Sequence, residues 1–279
     1  MSAIKTVYIQ DIGIGEGQPL AFMAGPCVIE SRDHAMRMAE QLKELFSDRG
    51  APLIFKSSYD KANRSSIDSY RGPGLEAGAK ILGEIRETFE LPILTDVHEP
   101  YQVEVIAEVA DILQVPAFLS RQTDLILAIA ESGRVVNVKK GQFLAPWDIK
   151  QVIEKVERAG NERILITERG VSFGYNNLVS DMRAFPMMKK LGYPVVMDAT
   201  HSAQLPGGLG DATGGQREFI PHVSRAAVAA GANAIFMEIH DDVEQAKSDA
   251  ATQWRLNKTG ALVRQLQQVH KLVNEMEEL

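Results

Sequence analysis

Short runs of apolar and β-branched residues alternate with amphipathic segments along almost the whole chain. Eight runs have the length and composition of buried β-strands, at 20–24, 53–56, 93–96, 112–115, 135–139, 163–168, 195–198 and 234–238. Between these runs, apolar residues recur three and four positions apart, as at Met38, Leu42, Leu45 and Phe46. That spacing puts apolar side chains on one face of an α-helix, so the pattern predicts repeated strand–helix units.

Eight strands, each followed by a helix, predict a (β/α)8 TIM barrel. The chain has 279 residues, slightly more than the ~250 that are typical of this fold. An open doubly wound sheet is the alternative architecture for the same alternation. The front segment, 1–18, carries two short apolar runs about a turn at Asp11, which predicts a small β-hairpin that covers the barrel floor. We find no linker, repeat or low-complexity stretch and expect a single domain over 1–279.

Composition and charge exclude several classes of protein. Lys and Arg number 30 and Asp and Glu 37, which gives a net charge of −7, so we expect neither nucleic acid nor an anionic membrane as a partner. No apolar run approaches the roughly 20 residues that span a bilayer, and residues 1–10 lack the pattern of a secretory signal. The single cysteine, Cys27, excludes an internal disulfide and favours a reducing compartment, so we expect a cytoplasmic protein.

Polar or charged residues stand at or just beyond the end of every predicted strand. In a TIM barrel the active site is built at these C-terminal strand ends. One polar strand end is commonly a cap or a solvated loop residue, but unpaired charge is costly to bury around a whole barrel mouth. The pattern therefore predicts an active site on this rim.

Cations from several strands converge on the rim although the protein is acidic. They are Lys56, Lys61, Arg64, Lys139 and Arg169. Such a set suits phosphate and carboxylate oxygens, and arginine favours bidentate contacts. The segment 61–66 adds amide and hydroxyl donors and resembles a phosphate pocket, although similar loops are common on protein surfaces.

A second group on the rim has the chemistry of a divalent-metal site. It combines a thiol, an imidazole and two carboxylates in Cys27, His201, Glu238 and Asp249. Barrel closure brings the first, seventh and eighth strands together, so these side chains can meet. The alternative is that Cys27 is a packed core thiol with no ligand role.

Nine segments of the chain, in order, carry a family resemblance. They are AGPC at 24–27, FKSSYDKANRSS at 55–66, TDVHE at 95–99, QVPAF at 114–118, NVKKGQF at 137–143, ERG at 168–170, FGYNNL at 173–178, DATHS at 198–202 and EIH at 238–240. With these motifs the chain closely resembles the 3-deoxy-D-manno-octulosonate 8-phosphate synthases. The resemblance implies a barrel enzyme, usually a homotetramer, that condenses phosphoenolpyruvate with D-arabinose 5-phosphate and releases phosphate. The product leads to the inner-core sugar of bacterial lipopolysaccharide.

The resemblance also implies roles for individual residues. The positions that hold phosphoenolpyruvate match Lys56, Gln114, Lys139 and Arg169. The positions that hold the arabinose chain match Lys61, Asn63 and Asp96, and those that hold its phosphate match Arg64 and Ser65. Arg121 resembles an arginine that reaches into the neighbouring subunit's site. We expect catalysis to involve Lys61, Asn63, Asp96, His201 and Asp249.

Within the family, the metal-dependent branch has the ligand set Cys27, His201, Glu238 and Asp249, whereas the other branch has asparagine at the first position. We therefore expect a divalent cation, with Zn²⁺, Fe²⁺, Mn²⁺ and Co²⁺ all compatible with these ligands. Two positions depart from the family pattern: Asp241 follows His240 where proline is expected, and Thr213 stands where serine is expected. Thr213 lies in the segment 205–216 and Asp241 in the segment 240–252. We expect both segments to form active-site loops. The first is either a lid or a merely flexible surface loop.

Three other functions compete with this one. A related synthase that uses erythrose 4-phosphate has Lys-Pro-Arg-Thr where this chain has Lys61-Ala62-Asn63-Arg64-Ser65. A metal-dependent barrel aldolase needs no second phosphate pocket. A non-catalytic phosphosugar-binding paralogue is expected to have lost a ligand or a cation, and none is missing here.

Overall fold

The structure is a computed structural model that describes residues 4–208 and 214–276. Residues 209–213 of the predicted lid segment, including Thr213, lie outside the described residues, as do residues 1–3 of the predicted hairpin segment and residues 277–279. Within the described part of the chain, no helix is long and apolar enough to cross a membrane.

Eight parallel strands form the centre of the molecule. They are β1 (Ala21–Gly25), β2 (Leu53–Lys56), β3 (Ile93–Asp96), β4 (Ile112–Val115), β5 (Val135–Lys139), β6 (Ile164–Glu168), β7 (Val195–Asp198) and β8 (Ala234–His240). Each strand pairs with the next along the chain, and β8 also pairs with β1. The sheet is therefore closed, which confirms the predicted (β/α)8 barrel and makes the open-sheet alternative wrong.

Within residues 4–208 and 214–276, eight α-helices follow the strands in alternation. They are α1 (Arg32–Ser47), α2 (Leu75–Phe89), α3 (Val103–Val109), α4 (Thr123–Glu131), α5 (Lys150–Arg158), α6 (Ala184–Lys189), α7 (Ile220–Ala229) and α8 (Leu256–Asn274). The predicted apolar face of α1 is confirmed: Met38, Leu42 and Phe46 are buried against the barrel and Leu45 is half-buried. Short 3₁₀ helices and two-residue strands complete the loops, among them Trp254–Arg255, which pairs with the end of β8.

The N-terminal hairpin pairs Val7–Ile9 with Ile12–Ile14. Its apolar side chains Val7, Ile9 and Ile14 are buried in one cluster with inward-facing residues near the start of the barrel strands, such as Ile54 and Leu165. The hairpin therefore covers the barrel floor, as the sequence predicts.

Candidate active site

The open end of the barrel carries a cavity of about 670 Å³. Side chains alternate in direction along a strand, so residues two apart point to the same side. Ile54 points into the apolar interior of the barrel, and two residues later Lys56 lines the cavity. Phe236 and Glu238 repeat this arrangement on β8. The same strand period that builds the core thus delivers polar groups to the mouth.

Most of the predicted site residues line this one cavity. They are Lys56, Lys61, Asn63, Arg64, Ser65, Asp96, Gln114, Lys139, Arg169, His201, Glu238 and Asp249. Cys27 is fully buried just behind the wall, beside Asp249. Arg121 is exposed, and the structure does not bring its side chain to the cavity of its own chain.

Three of the cations that line the cavity are buried, namely Lys56, Lys139 and Arg169. Lys56 Nζ donates to Glu238 Oε1 at 2.8 Å and to the Cys27 carbonyl at 3.0 Å. Lys139 Nζ donates to Asp198 Oδ2 at 2.5 Å and lies over the Phe236 ring. Burial lowers the pKa of Lys139 to about 8, because Asp198 only partly offsets the cost of burying the ammonium.

Arg169 and Gln114 add donors to the same side. One guanidinium nitrogen of Arg169 donates to Gln204 Oε1 at 2.8 Å. Asn137 Nδ2 donates to Gln114 Oε1 at 3.1 Å, and Thr167 Oγ1 donates to Asn137 Oδ1 at 2.6 Å. Because this chain uses the amide oxygen of Gln114 as an acceptor, its NH₂ group is left to face the cavity as a donor.

A second set of donors comes from the loop after β2. Lys61, Asn63, Arg64 and Ser65 all line the cavity there. Arg64 Nε and Nη2 donate to the Tyr70 carbonyl at 3.0 and 2.9 Å, which fixes the plane of its guanidinium. Although burial opposes the charge of Lys61, the pKa of this side chain is raised well above its usual range by the anionic groups around it.

Asp96 lies between the two cationic groups at the end of β3. Its Oδ1 accepts a hydrogen bond from Ser58 Oγ at 2.5 Å, and its Oδ2 lies 3.0 Å from His98 Nε2. Burial raises the pKa of this carboxyl, but His98 and Lys61 outweigh burial and hold the pKa well below its usual range. Asp96 is therefore an ionised acceptor that suits a substrate hydroxyl.

The four predicted metal ligands form a compact group. Cys27, Glu238 and Asp249 offer donor atoms that all lie within 4.8 Å of one another. His201 completes the group, because its Nε2 lies 3.6 Å from Asp249 Oδ2 and 3.7 Å from Glu238 Oε1. The other ring nitrogen, Nδ1, lies 2.8 Å from Asp198 Oδ2. A carboxylate in that position is the usual partner that orients a metal-binding imidazole.

The charge states at this group suit a divalent cation. Burial and the nearby Glu238 carboxylate raise the pKa of the Cys27 thiol well above its usual range, and a bound cation would favour the thiolate. Burial also opposes ionisation of Glu238, but Lys56 and His201 hold the pKa of that carboxyl at about 2. Glu238 Oε2 is buried and has no hydrogen-bond partner among the described residues. The donor set and this free oxygen both fit a metal ion.

Several residues at the site were not among the predicted site residues. Asp198 contacts both Lys139 and His201, and its position three residues before His201 at a strand end was a usable signal. Ser248 accepts a hydrogen bond from Cys27 Sγ at 2.9 Å, and no sequence pattern distinguishes it from other loop serines. His240, at the end of β8, does not line the cavity and packs instead against His34.

Comparisons with known proteins agree with this geometry. Residues 3–275 match the DAHP synthetase I family. This chain belongs to the DAHP synthetase I family. Within the family, it is similar to proteins named 2-dehydro-3-deoxyphosphooctonate aldolase, a name for the synthases that its motifs resemble. The relative from Geotalea uraniireducens is 54% identical over 270 residues, covering 97% of this chain and 99% of the relative. The relative from Cyanothece sp. is 56% identical over 263 residues, covering 94% and 96%.

Proposed function

We propose that this chain condenses phosphoenolpyruvate with D-arabinose 5-phosphate and water, giving 3-deoxy-D-manno-octulosonate 8-phosphate and phosphate. The observation that carries the proposal is a single cavity lined by the cations Lys56, Lys61, Arg64, Lys139 and Arg169, in a chain whose relatives are named 2-dehydro-3-deoxyphosphooctonate aldolase. The product would enter the synthesis of the lipopolysaccharide inner core. The resemblance in the motifs points to the same reaction.

The buried cations would hold phosphoenolpyruvate. Lys56, Lys139 and Arg169 bring positive charge from three strands to one wall, and the Gln114 amide adds a neutral donor. This set matches the phosphate and carboxylate oxygens of that substrate. Holding the substrate there turns a bimolecular encounter into an oriented one, which can supply a large part of the rate enhancement.

The loop after β2 would hold arabinose 5-phosphate. Arg64 and Ser65 would bind its phosphate, and Lys61 and Asn63 would contact the sugar chain next to Asp96. The aldehyde carbon would then lie beside the methylene carbon of phosphoenolpyruvate. A carbon–carbon bond forms between these two atoms, and water adds to the neighbouring carbon, which bears the phosphate oxygen. The bond between that carbon and the phosphate oxygen then breaks, and phosphate leaves.

Cys27, His201, Glu238 and Asp249 would hold a divalent cation. When bound, such a cation polarises or orients an oxygen atom of a substrate or of water. The protein's own contribution is to orient the His201 ring through Asp198 and to place Glu238 against Lys56. We assign His201 and Asp249 to catalysis as well; both line the cavity, as Glu238 does.

The loops above the cavity would exclude water during the reaction. Residues 246–251 line the cavity and carry Asp249, so the segment 240–252 forms part of its wall. Pro206 and Gly207 line it from the other side, at the start of the segment 205–216. We propose that the segment 205–216 acts as a lid over the bound substrates.

The chain would work as a homotetramer in the cytoplasm. Exposed aromatic side chains on the loops after β4, β5 and β6 support subunit contacts, namely Phe118, Phe143, Phe173 and Tyr175. Arg121, exposed three residues after Phe118, would then reach the cavity of a neighbouring subunit. The single cysteine supports a reducing compartment.

Phosphate release from phosphoenolpyruvate tests the reaction directly. Purified protein should release phosphate only when arabinose 5-phosphate is also present, and mass spectrometry should find the eight-carbon product. Equal or faster turnover with erythrose 4-phosphate would instead assign the chain to the aromatic-pathway relative. Binding of both substrates without turnover would identify a non-catalytic paralogue.

A further inference from the structure

A second group of metal-binding residue types lies behind the cavity wall. Glu30, His34 and His240 offer ligand atoms that all lie within 4.8 Å of one another. Both histidines are buried, and the Glu30 side chain is 11% exposed. None of the three lines the cavity, so the group is separate from the proposed catalytic centre.

The local fold explains how the three side chains meet. Ser31 caps α1, and its Oγ accepts a hydrogen bond from the His34 backbone N–H at 3.2 Å. The cap places Glu30 just before the helix and His34 in its first turn. His240 ends β8, the neighbour of β1, and its ring centroid lies 4.7 Å from that of His34.

One carboxylate contacts both imidazole rings on the side away from Glu30. Asp241 Oδ1 lies 3.0 Å from His34 Nε2 and 3.2 Å from His240 Nδ1. If these two nitrogens carry the ring protons, His34 Nδ1 and His240 Nε2 are left with free lone pairs. Those are the two ring nitrogens of this pair that are buried without a hydrogen-bond partner in the described part of the chain.

With the ring protons placed in this way, the position of Glu30 favours a cation. Its Oε1 lies 3.3 Å from His240 Nε2, so a carboxylate oxygen would face a nitrogen lone pair at close range. A cation between them removes that repulsion and satisfies both atoms. Metal-bound histidines commonly donate their other ring N–H to a carboxylate, and Asp241 is placed to accept from both rings.

We propose that Glu30, His34 and His240 bind a divalent transition-metal ion of the zinc class, at a site distinct from that of Cys27. Two imidazole nitrogens and one carboxylate are a known ligand set for zinc. The role of this site is structural. Glu30 Oε1 also accepts the Lys247 backbone N–H at 2.8 Å, so the ion braces the segment that carries Asp249.

A competing arrangement has no metal. The Asp242 N–H lies 2.9 Å from His240 Nδ1 and can donate to it, in which case His240 Nε2 carries the proton and donates to Glu30. That arrangement satisfies His240 by hydrogen bonds alone but leaves His34 Nδ1 without a partner among the described residues. Metal binding separates the two arrangements.

Cobalt binding to the full-length protein tests the proposal. After removal of metal, titration with Co²⁺ should show two equivalents per chain, only one of which gives the thiolate-to-metal charge-transfer band expected of Cys27. The substitution His34→Leu should lose the equivalent that lacks this band and keep the other. His222→Leu, the same change at an exposed histidine of α7, should keep both.

Glu30→Gln gives a second test that preserves side-chain volume, in case His34→Leu does not fold. The Glu30→Gln variant should also fail to bind the Co²⁺ equivalent that gives no thiolate-to-metal band. The proposal would be overturned if the unmodified protein took up no equivalent that lacks the thiolate band, or if both folded variants kept that equivalent. The readout is metal stoichiometry and absorption, so its result does not depend on whether the synthase reaction is found.

Discussion

At the scale of single residues, Lys139 combines a charge that binding requires with burial that opposes it. It is 4% exposed, and its only close counter-charge among the described residues is Asp198. Its pKa of about 8 lies below the ordinary value of 10.5. Between these two pH values the folded state holds fewer protons than the unfolded state, so this group makes unfolding less favourable as the pH rises. Loss of the Lys139 proton in that range therefore does not itself destabilise the fold.

We predict that kcat/KM for phosphoenolpyruvate falls above about pH 8, as the Lys139 ammonium loses its proton. Lys139→Arg should move this descending limb to higher pH, because a guanidinium stays charged. The check is a pH profile of both enzymes, with the melting temperature recorded at each pH. If kcat/KM falls at the same pH in the unmodified enzyme and in Lys139→Arg, a group other than Lys139 causes the fall.

The two cationic groups should separate in the kinetics of the two substrates. Arg64→Ala should raise the KM for arabinose 5-phosphate, and Arg169→Ala should raise the KM for phosphoenolpyruvate. Loss of one charge-assisted contact costs about 1.5–3 kcal/mol, which is roughly tenfold or more in the affected constant. Steady-state kinetics with each substrate varied in turn measures the split. Equal effects of both variants on both substrates would contradict our assignment of the two sides of the cavity.

Cys27 decides the metal assignment. A thiolate ligand supplies charge and polarisability that alanine lacks, so Cys27→Ala should lose most bound metal and most activity while it stays folded. Cys27→Asn should bind metal weakly and keep some activity that a chelator does not remove, because asparagine stands there in the metal-independent branch. Metal analysis with and without chelation checks both. Full activity of the unmodified enzyme after prolonged chelation would identify Cys27 as a packed core thiol.

At the scale of elements, the strands were predictable because each is a short apolar run with a polar residue near its C-terminal end. All eight appear at the predicted places, with small shifts such as the start of β6 at Ile164 and the extension of β8 to His240. The alternation of side chains along a strand also determines which residues line the cavity. Ile54 points into the barrel interior, and Lys56, two residues later on the same side, lines the cavity. The fold and the strand-borne part of the site therefore follow from local patterns.

The loop-borne part of the site could not be predicted in this way. The direction of a side chain beyond a strand end depends on contacts with other loops, and periodicity does not encode these. His240 turns toward Glu30 and away from the cavity, and Ser248 reaches Cys27 across 221 positions of sequence. Asn63 was assigned by resemblance to a known motif, because no spacing rule points to it.

Gly25 shows how closely the elements approach at the active-site end of the barrel. A Cβ atom at this position would lie 2.0 Å from the Lys56 carbonyl oxygen on the adjacent strand. We predict that Gly25→Ala pushes β1 and β2 apart, displaces Lys56 and costs about 1–3 kcal/mol of unfolding free energy. Thermal unfolding and the KM for phosphoenolpyruvate measure the two effects.

Gly83→Ala is the matched control. Gly83 lies inside α2, where the nearest atom to an added Cβ is a Val109 methyl at 3.2 Å, which can shift. Alanine also favours the helix by roughly 0.5–1 kcal/mol over glycine. The melting temperature of the Gly83→Ala variant and its KM for phosphoenolpyruvate should therefore stay near those of the unmodified protein. If both variants lost a similar free energy of unfolding, the close contact between Gly25 and the Lys56 carbonyl would not explain the effect of Gly25→Ala.

At the scale of the whole molecule, one sector of the active-site face is unusually apolar for an exposed surface. Phe118, Phe143, Phe173 and Tyr175 are 55%, 56%, 69% and 98% exposed. The loops that carry Phe143 and Phe173 are joined, since the Ser172 N–H donates to the Gln142 carbonyl at 2.9 Å. Such a patch is typical of a subunit interface. Phe118 also lines the cavity, so a neighbour docked on this patch would stand at the active-site entrance.

If Arg121 acts in a neighbour's cavity, two inactive variants should restore activity to each other. Arg121→Ala keeps an intact cavity but supplies no arginine, whereas Lys139→Ala supplies the arginine but has a damaged cavity. Each variant alone should be nearly inactive, and light scattering should show that each is tetrameric.

After the two variants are mixed, dissociated and reassembled, hybrid tetramers contain sites with an intact cavity and a donated Arg121, so part of the activity should return. If Arg121 acts in its own chain or only in folding, every site in the mixture stays defective, and the mixture shows no more activity than the sum of its components. The gain on mixing thus tests the tetramer and the shared site together.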